Sequence, residues 1–282
     1  MRSKRARSTL LLVALASAAY PATAPLAILK AGISDIEDGP PVGSGFAFVP
    51  GQFVFLTFHI AGFKASQEQN IHLTCKTDAF DPKGVRLVET MADKVDTTLT
   101  PEDKNWKPLV RQQFLIPPIV ASGTYKITVQ VTDDLANGAT VTEDIPFQVS
   151  GRQVAPSDTL TIRNFHFYRG EDDRDPLTIA AYRPGDTLWA RFDIVGYKFG
   201  PNNGIDVDYG ISVLAPGGKV LYTQDKAAEE KSSSFYPKAY VPGSMNLSLQ
   251  SNIRPGQYTI AITARDHTGN QTADAKADFS IE

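Results

Sequence analysis

The chain has 282 residues, 28 Lys and Arg against 31 Asp and Glu for a formal charge of −3, and 42% hydrophobic residues. That length suits one or two globular domains of roughly 100–200 residues each, and the charge lacks the basic excess that nucleic acid or anionic lipid would require. A single cysteine excludes an internal disulfide.

The N-terminus reads as a secretory signal. Arg2, Lys4, Arg5 and Arg7 precede the apolar Leu10–Ala16, and the small residues Ala16-Ser17-Ala18 close it. Cleavage is expected after Ala18 or Ala19, with Ala22 as the alternative, and residues 1–24 are assigned to signal and a short loose segment. The apolar run falls short of the ~20 residues a membrane span needs, so the mature chain has no stable span. Loss of the four basic residues takes the charge to −7. The chain is expected in the periplasm, outside the cell or at its surface, and an exported protein without disulfides fits a bacterium better than a eukaryotic ectodomain.

Ala22–Leu29 reads as a mobile Pro/Ala stretch and Asp35–Gly45 as a loop. Beyond it the chain is written twice. Val49-Pro50-Gly51 and Phe58-His-Ile-Ala-Gly-Phe-Lys64 return as Arg183-Pro184-Gly185 and Phe192-Asp-Ile-Val-Gly-Tyr-Lys198, an offset of 134 residues. Gly123–Val129 returns as Gly256–Ile262 at an offset of 133. The repeat implies one domain over 25–150, a linker over 151–157 and a second domain over 158–282.

Phe53–Ile60 is nearly all apolar, so its facing is ambiguous alone, but its twin alternates. Leu188, Ala190, Phe192 and Ile194 are expected in the core, and by register so are Val54, Leu56, Phe58 and Ile60. Phe53, Phe55, Thr57 and His59 then point outward, as do Trp189, Arg191 and Asp193. The next strand turns Ile71, Leu73, Cys75, Thr77 and Ala79 inward, matching Ile205, Val207, Tyr209, Ile211 and Val213. Asp81–Gly84 and Ala215–Gly218 are turns, after which Val85–Glu89 and Val220–Thr223 are expected as hairpin partners. Thr90–Lys107 and Gln224–Gly243 diverge between the copies and are expected to fold back over the outward aromatics. A further strand in each copy follows, at Phe114–Ile116 and Met245–Leu249. Alternation then marks Tyr125–Val131 and Tyr258–Ala264, and after the Asn137-Gly138 and Gly269-Asn270 turns, the last strands. About seven short strands per copy, without helical periodicity, imply an all-β pair of sandwiches.

The block Gly123-Thr-Tyr125-x-Ile-x-Val-x-Val-x-Asp133, with its twin Gly256-Gln-Tyr258-x-Ile-x-Ile-x-Ala-x-Asp266, resembles the late-strand hairpin of immunoglobulin-like and fibronectin-type-III-like modules in exported bacterial proteins. The resemblance implies tandem immunoglobulin-like β-sandwich domains, and a hydroxyl of Tyr125 and Tyr258 bonded back to the preceding corner. There is no Cys…Trp…Cys spacing of antibody domains, and a fold of this kind implies no activity by itself.

Little in the chain carries chemistry. Cys75 on an inward register reads as a small buried hydrophobe. His59, His72, His166 and His267 make no metal-ligand spacing. Asp206 and Asp208 lie on one strand face in the manner of a glycosidase pair, but read as a solvated face, and Asp133, Asp134 and Asp266 read as turn residues capping their own backbone. No nucleophile elbow, P-loop or dinucleotide fingerprint is present. The acidic run Glu171, Asp172, Asp173 and Asp175 offers the oxygens calcium takes, although Arg174 interrupts it. Phe53, Phe55 and Trp189 on outward registers mark a covered surface: inter-domain packing, a protein partner or stacked sugar rings. The expected function is a non-catalytic exported binding or scaffold protein that mediates protein interaction or adhesion. The alternatives are a carbohydrate-binding module using these aromatics and a calcium-stiffened spacer.

Overall fold

The computed structural model describes residues 24–282, so the signal and loose segment expected over residues 1–24 lies, but for its last residue, outside the described residues. The first half carries β1 (Ala27–Ser34), β2 (Ala47–Phe48), β3 (Phe53–Ala61), β4 (Asn70–Phe80), β5 (Met91–Thr98), β6 (Leu109–Leu115), β7 (Gly123–Asp133) and β8 (Ala139–Val149). The second carries β9 (Thr161–Tyr168), β10 (Ala181–Tyr182), β11 (Thr187–Val195), β12 (Ile205–Leu214), β13 (Val220–Ser232), β14 (Val241–Ser248), β15 (Gly256–Asp266) and β16 (Gln271–Ile281). One-turn 3-10 helices at Pro101–Asp103 and Pro201–Asn203 are the only helical pieces among the described residues.

Each half is a two-layer sandwich. Sheet β1-β3-β6 faces sheet β2-β8-β7-β4-β5, and β9-β11-β14 faces β10-β16-β15-β12-β13. Pairing is antiparallel except where β2 runs parallel to β8 and β10 to β16. Strand for strand the halves match, so the fold is two tandem immunoglobulin-like sandwiches. The alternation sets the layers: Val54, Leu56, Phe58 and Ile60 are buried, as are Leu188, Ala190, Phe192 and Ile194. Each such side chain contributes about 1.5–3 kcal/mol on burial. One core gathers Phe48, Phe114, Tyr125 and Phe147, the other Phe167, Tyr182, Phe192 and Phe279, with neighbouring rings in edge or tilted contact.

The repeated residues are the ones that close each sandwich. Tyr125 donates its hydroxyl to the Ala121 carbonyl at 2.8 Å, and Tyr258 donates to Arg254 at 2.8 Å, as the resemblance implies. Asp133 and Asp266 are buried, and besides capping their own turns they accept from Lys64 N at 2.7 Å and Lys198 N at 2.9 Å. Each thereby ties the β7–β8 or β15–β16 turn to the loop leaving β3 or β11. In those loops Gly62 (φ +73°) and Gly196 (φ +77°) lie in the left-handed region, where a Cβ would also collide with the carbonyl oxygens of Pro25 and Thr159.

Four expectations are corrected. The stretch Ala22–Leu29 is not loose throughout, because β1 begins at Ala27 and its bulge near Lys30 lets Ile28 and Ile33 both reach the core. Val85–Glu89 is not a strand: after one bridge, Phe80 to Arg86, Leu87 turns into the core, and the edge strand β5 comes from the divergent segment instead. In the second half the edge strand does start at Val220, but runs on to Ser232. Because β5 and β13 belong to the five-stranded sheets, the divergent segments do not fold over Phe53, Phe55 or Trp189, which sit on the opposite layers.

Candidate interaction surfaces

Strand β3 lies between β1 and β6, so its outward residues have neighbours on both sides. Phe53 faces Leu115 across the ladder, Phe55 faces Gln113, Thr57 faces Arg111 and His59 faces Leu109. Phe53 is 46% exposed and Leu115 41%, and the Phe53 and Phe55 rings lie 6.1 Å apart. Beside them the loop after β1 folds over, and Arg111 Nε donates to Asp38 Oδ1 at 2.8 Å. Phe55, Thr57, Gln113 and this ion pair, with Glu37, line a shallow cavity of ≈ 230 Å³. The result is an apolar strip with a charged flank, built on a rigid sheet.

Trp189 occupies the position equivalent to Phe55, but on the other module's three-stranded sheet, facing Tyr168 and Asn246, and it is half-buried. Phe53 and Phe55 are therefore brought together and Trp189 stands apart from them. The loop Glu171–Asp175 lies along the same sheet, where the Arg191 guanidinium sits 4.3 Å over the Tyr168 ring. Arg191 donates to the backbone carbonyls of Glu171 and Asp173. This is the loop expected to offer oxygens to calcium. Arg191 engages two of its backbone carbonyls, the Asp173 carboxylate caps Gly170 N at 2.9 Å, and Glu171, Asp172, Asp173 and Asp175 are exposed. Among the described residues no group of three or more His, Cys, Asp or Glu side chains is placed to hold a metal ion.

The remaining polar residues are engaged in pairs. Asp208 is buried rather than solvated, because Arg265 Nε at 2.7 Å and His267 Nε2 at 2.6 Å reach it across the sheet. Asp206 pairs with Lys231 Nζ at 2.6 Å, and that bond first of all holds its carboxyl below the ordinary range. His72 contacts Asp96 at 2.8 Å on the exposed face. Burial, with the nearby Asp93 charge, pushes the Cys75 thiol up to about 11, which leaves it protonated and inert.

Two features at the module boundary carry no sequence motif. Asp193, expected to point outward like its counterpart His59, is fully buried. Linker residue Arg152 grips both its oxygens, Nη1 to Oδ1 at 2.7 Å and Nη2 to Oδ2 at 2.6 Å, and Asn164 Nδ2 adds a bond at 2.7 Å. The Gly151 carbonyl accepts from Ser122 Oγ at 2.6 Å, so two adjacent linker residues are held, one by each module. The second contact comes from the β13–β14 loop. Tyr236 packs on the first core and donates its hydroxyl to Asp81 Oδ2 at 2.9 Å, while Arg86 lies over the Phe235 ring at 5.6 Å. Burial, then the Asp81 contact, raises the Tyr236 hydroxyl above its ordinary range. The one legible signal was an unmatched Asp193 within a matched block.

No family model matches the chain, and no curated protein matches it by sequence. Among solved structures, the C-terminal domain of the Streptococcus agalactiae AgI/II polypeptide BspA matches at 11% identity and TM-score 0.33, covering 91% of this chain and 100% of that one. The C-terminal domain of the Streptococcus pyogenes antigen I/II-family protein AspA matches at 10% identity and TM-score 0.33, covering 89% and 99%. Red sea bream transglutaminase matches at 8% identity and TM-score 0.25, over 91% of this chain and 31% of that one. Likenesses at this level carry no argument about function.

Proposed function

We propose that this chain is a non-catalytic exported scaffold that binds a protein partner through the outer face of β1-β3-β6. The observation that carries the reading is the strip formed by Phe53, Phe55 and Leu115, which the described loops cover only in part and which the Arg111–Asp38 pair borders. An apolar centre with a polar, ion-paired rim is the anatomy of a protein interface. The glycan reading has less support, since sugar sites join a stacking ring to several hydrogen-bonding side chains, and neither phenylalanine offers a polar group. Export rests on the basic-apolar-small pattern of residues 1–18. Among the described residues no helix is long and apolar enough to cross a membrane.

A photoreactive phenylalanine analogue placed at Phe55 in the native host tests this. A discrete cross-linked protein is expected at that site and none from the same analogue at Thr142, an exposed position on the other layer. Equal labelling from both positions, or none from Phe55, overturns the proposal. A glycan array gives the competing outcome: retention abolished by Phe55→Ala would assign the strip to sugars.

A further inference from the structure

The two modules are stacked end to end, with the second module's apex on the first module's base. The apex of the second module is the β13–β14 loop with the Pro201–Asn203 turn, and the base of the first is the turn after β4. Tyr236 on Asp81 and Phe235 under Arg86 form the contact, and Glu89 shares a cleft with Asn202, Asn203 and Ser234. Because the modules are copies, each also has an apex and a base in the places its twin uses, with different side chains on them. Among the described residues, the first module's apex and the second module's base are the two that this stack leaves open.

Both open ends expose large apolar side chains. At the first module's apex Trp106 is 41% exposed, at a cavity of ≈ 560 Å³ that it lines with Phe63 and Leu99 beside the polar Gln69, Asp103, Lys104 and Asn105. At the second module's base Val220, Leu221 and Tyr222 are exposed in succession, at 54%, 52% and 49%. The positions correspond: Phe80 bridges Arg86 in the first module as Leu214 pairs with Val220 in the second. Where the occupied base presents Asp81 and Arg86 to a tyrosine hydroxyl and a ring, the open base presents Ala215 and Val220. Where the occupied apex brings Tyr236, the open apex brings Trp106. Each apex suits its own base. A tyrosine hydroxyl meets a carboxylate in the joint within the chain, whereas the open base has Ala215 at the carboxylate's place and exposes apolar side chains on both faces of β13, Val220 beside Leu214 and Tyr222 beside Val213.

We propose that a second copy of this chain docks its Trp106 apex on the Val220–Tyr222 base, repeating the internal joint between molecules. Such a contact is heterologous, using different patches on the two partners, so it adds chains head to tail rather than closing a symmetric dimer. Contacts made by a few loop residues belong with the small, transient class of interfaces, so association is followed up to millimolar concentration.

The test is sedimentation velocity over a micromolar-to-millimolar series, on protein expressed and processed in its native host. Wild type is expected to gain average mass continuously with concentration, without a plateau at dimer. Trp106→Ala and Leu221→Asp alter exposed positions, and circular dichroism melts check that both still fold. Each alone should weaken association about tenfold or more, as loss of an interface anchor does. An equimolar mixture of the two variants keeps one sound apex and one sound base, and should stop at a heterodimer. A wild type that stays monomeric throughout, a wild type that plateaus at dimer, or association that survives in the double variant overturns the proposal.

Discussion

The Arg152–Asp193 pair gives the sharpest test of how the linker is held. Asp193 has no exposed surface, and its carboxylate accepts two bonds from Arg152 and one from Asn164. Arg152→Ala leaves a buried charge with a single donor. Removing one member of a fully buried pair costs about 3–5 kcal/mol. Arg152 is itself 54% exposed, so water can follow the vacated path, and an expectation of about 2–3 kcal/mol is reasonable. For a domain of this size that is a fall of about 8–12 °C in Tm. Asp193→Asn returns Arg152 to water and should cost only about 1 kcal/mol. If the buried charge is the cause, adding Asp193→Asn to Arg152→Ala recovers most of the loss. The chain's two tryptophans, Trp106 and Trp189, lie one in each module, so urea unfolding of a Trp106→Phe background reads the second module alone. An Arg152→Ala variant within about 1 kcal/mol of its parent, or strict additivity in the double variant, would refute the reasoning.

Three further outcomes follow from the geometry. Tyr236→Ala should uncouple the modules, with a loss of about 2 kcal/mol at the joint, seen as a larger radius of gyration in solution scattering and faster independent tumbling by NMR. An unchanged radius would mean that the linker alone sets the stack. The Glu230 carboxyl is held below its ordinary 4.5 chiefly by the bond from Lys238 and then by that from Ser232. A carboxyl whose folded pKa is depressed contributes stability that is complete above its unfolded value and lost as pH falls through the folded one. Stability should therefore drop below about pH 4.5, and Glu230→Gln should flatten part of that drop in melts recorded at successive pH values. Finally, because Arg191 holds the Glu171 and Asp173 carbonyls, millimolar Ca²⁺ should leave Tm unchanged relative to EDTA, and Arg191→Ala should lower it. A rise of several degrees in Ca²⁺ would favour the calcium reading instead.

How far the molecule is legible from its residues depends on the range of the interactions. The facing of Phe53–Ile60 cannot be read from a run that is apolar throughout, yet Thr187–Ile194 alternates and transfers its register across the repeat. Tyr125, Tyr258, Asp133 and Asp266 are equally local, since each bonds within its own hairpin or the adjoining loop. These relations sit in strand periodicity and turn chemistry, which a chain expresses whatever surrounds it.

What pattern could not decide are the places where the two copies stop being equivalent. Asp193 sits on an outward register and would be solvated, as His59 is partly, had the linker not brought Arg152 over it. Asp208 is buried only because Arg265 and His267 arrive from a strand far along the chain. The acidic loop shows its carboxylates in the sequence, but not that Arg191, on a neighbouring strand, holds two of its carbonyls. Tyr236 looks like an isolated polar-loop aromatic until the first module's base meets it. In sequence, then, the chain by itself determined the duplication, the all-β layering and which side chains fill each core, because alternation and turn residues act over a few positions. Only the tertiary structure decided which charges are buried, how the modules join and which aromatics remain open. Those outcomes depend on groups distant in sequence meeting in space, and periodicity carries no record of such meetings.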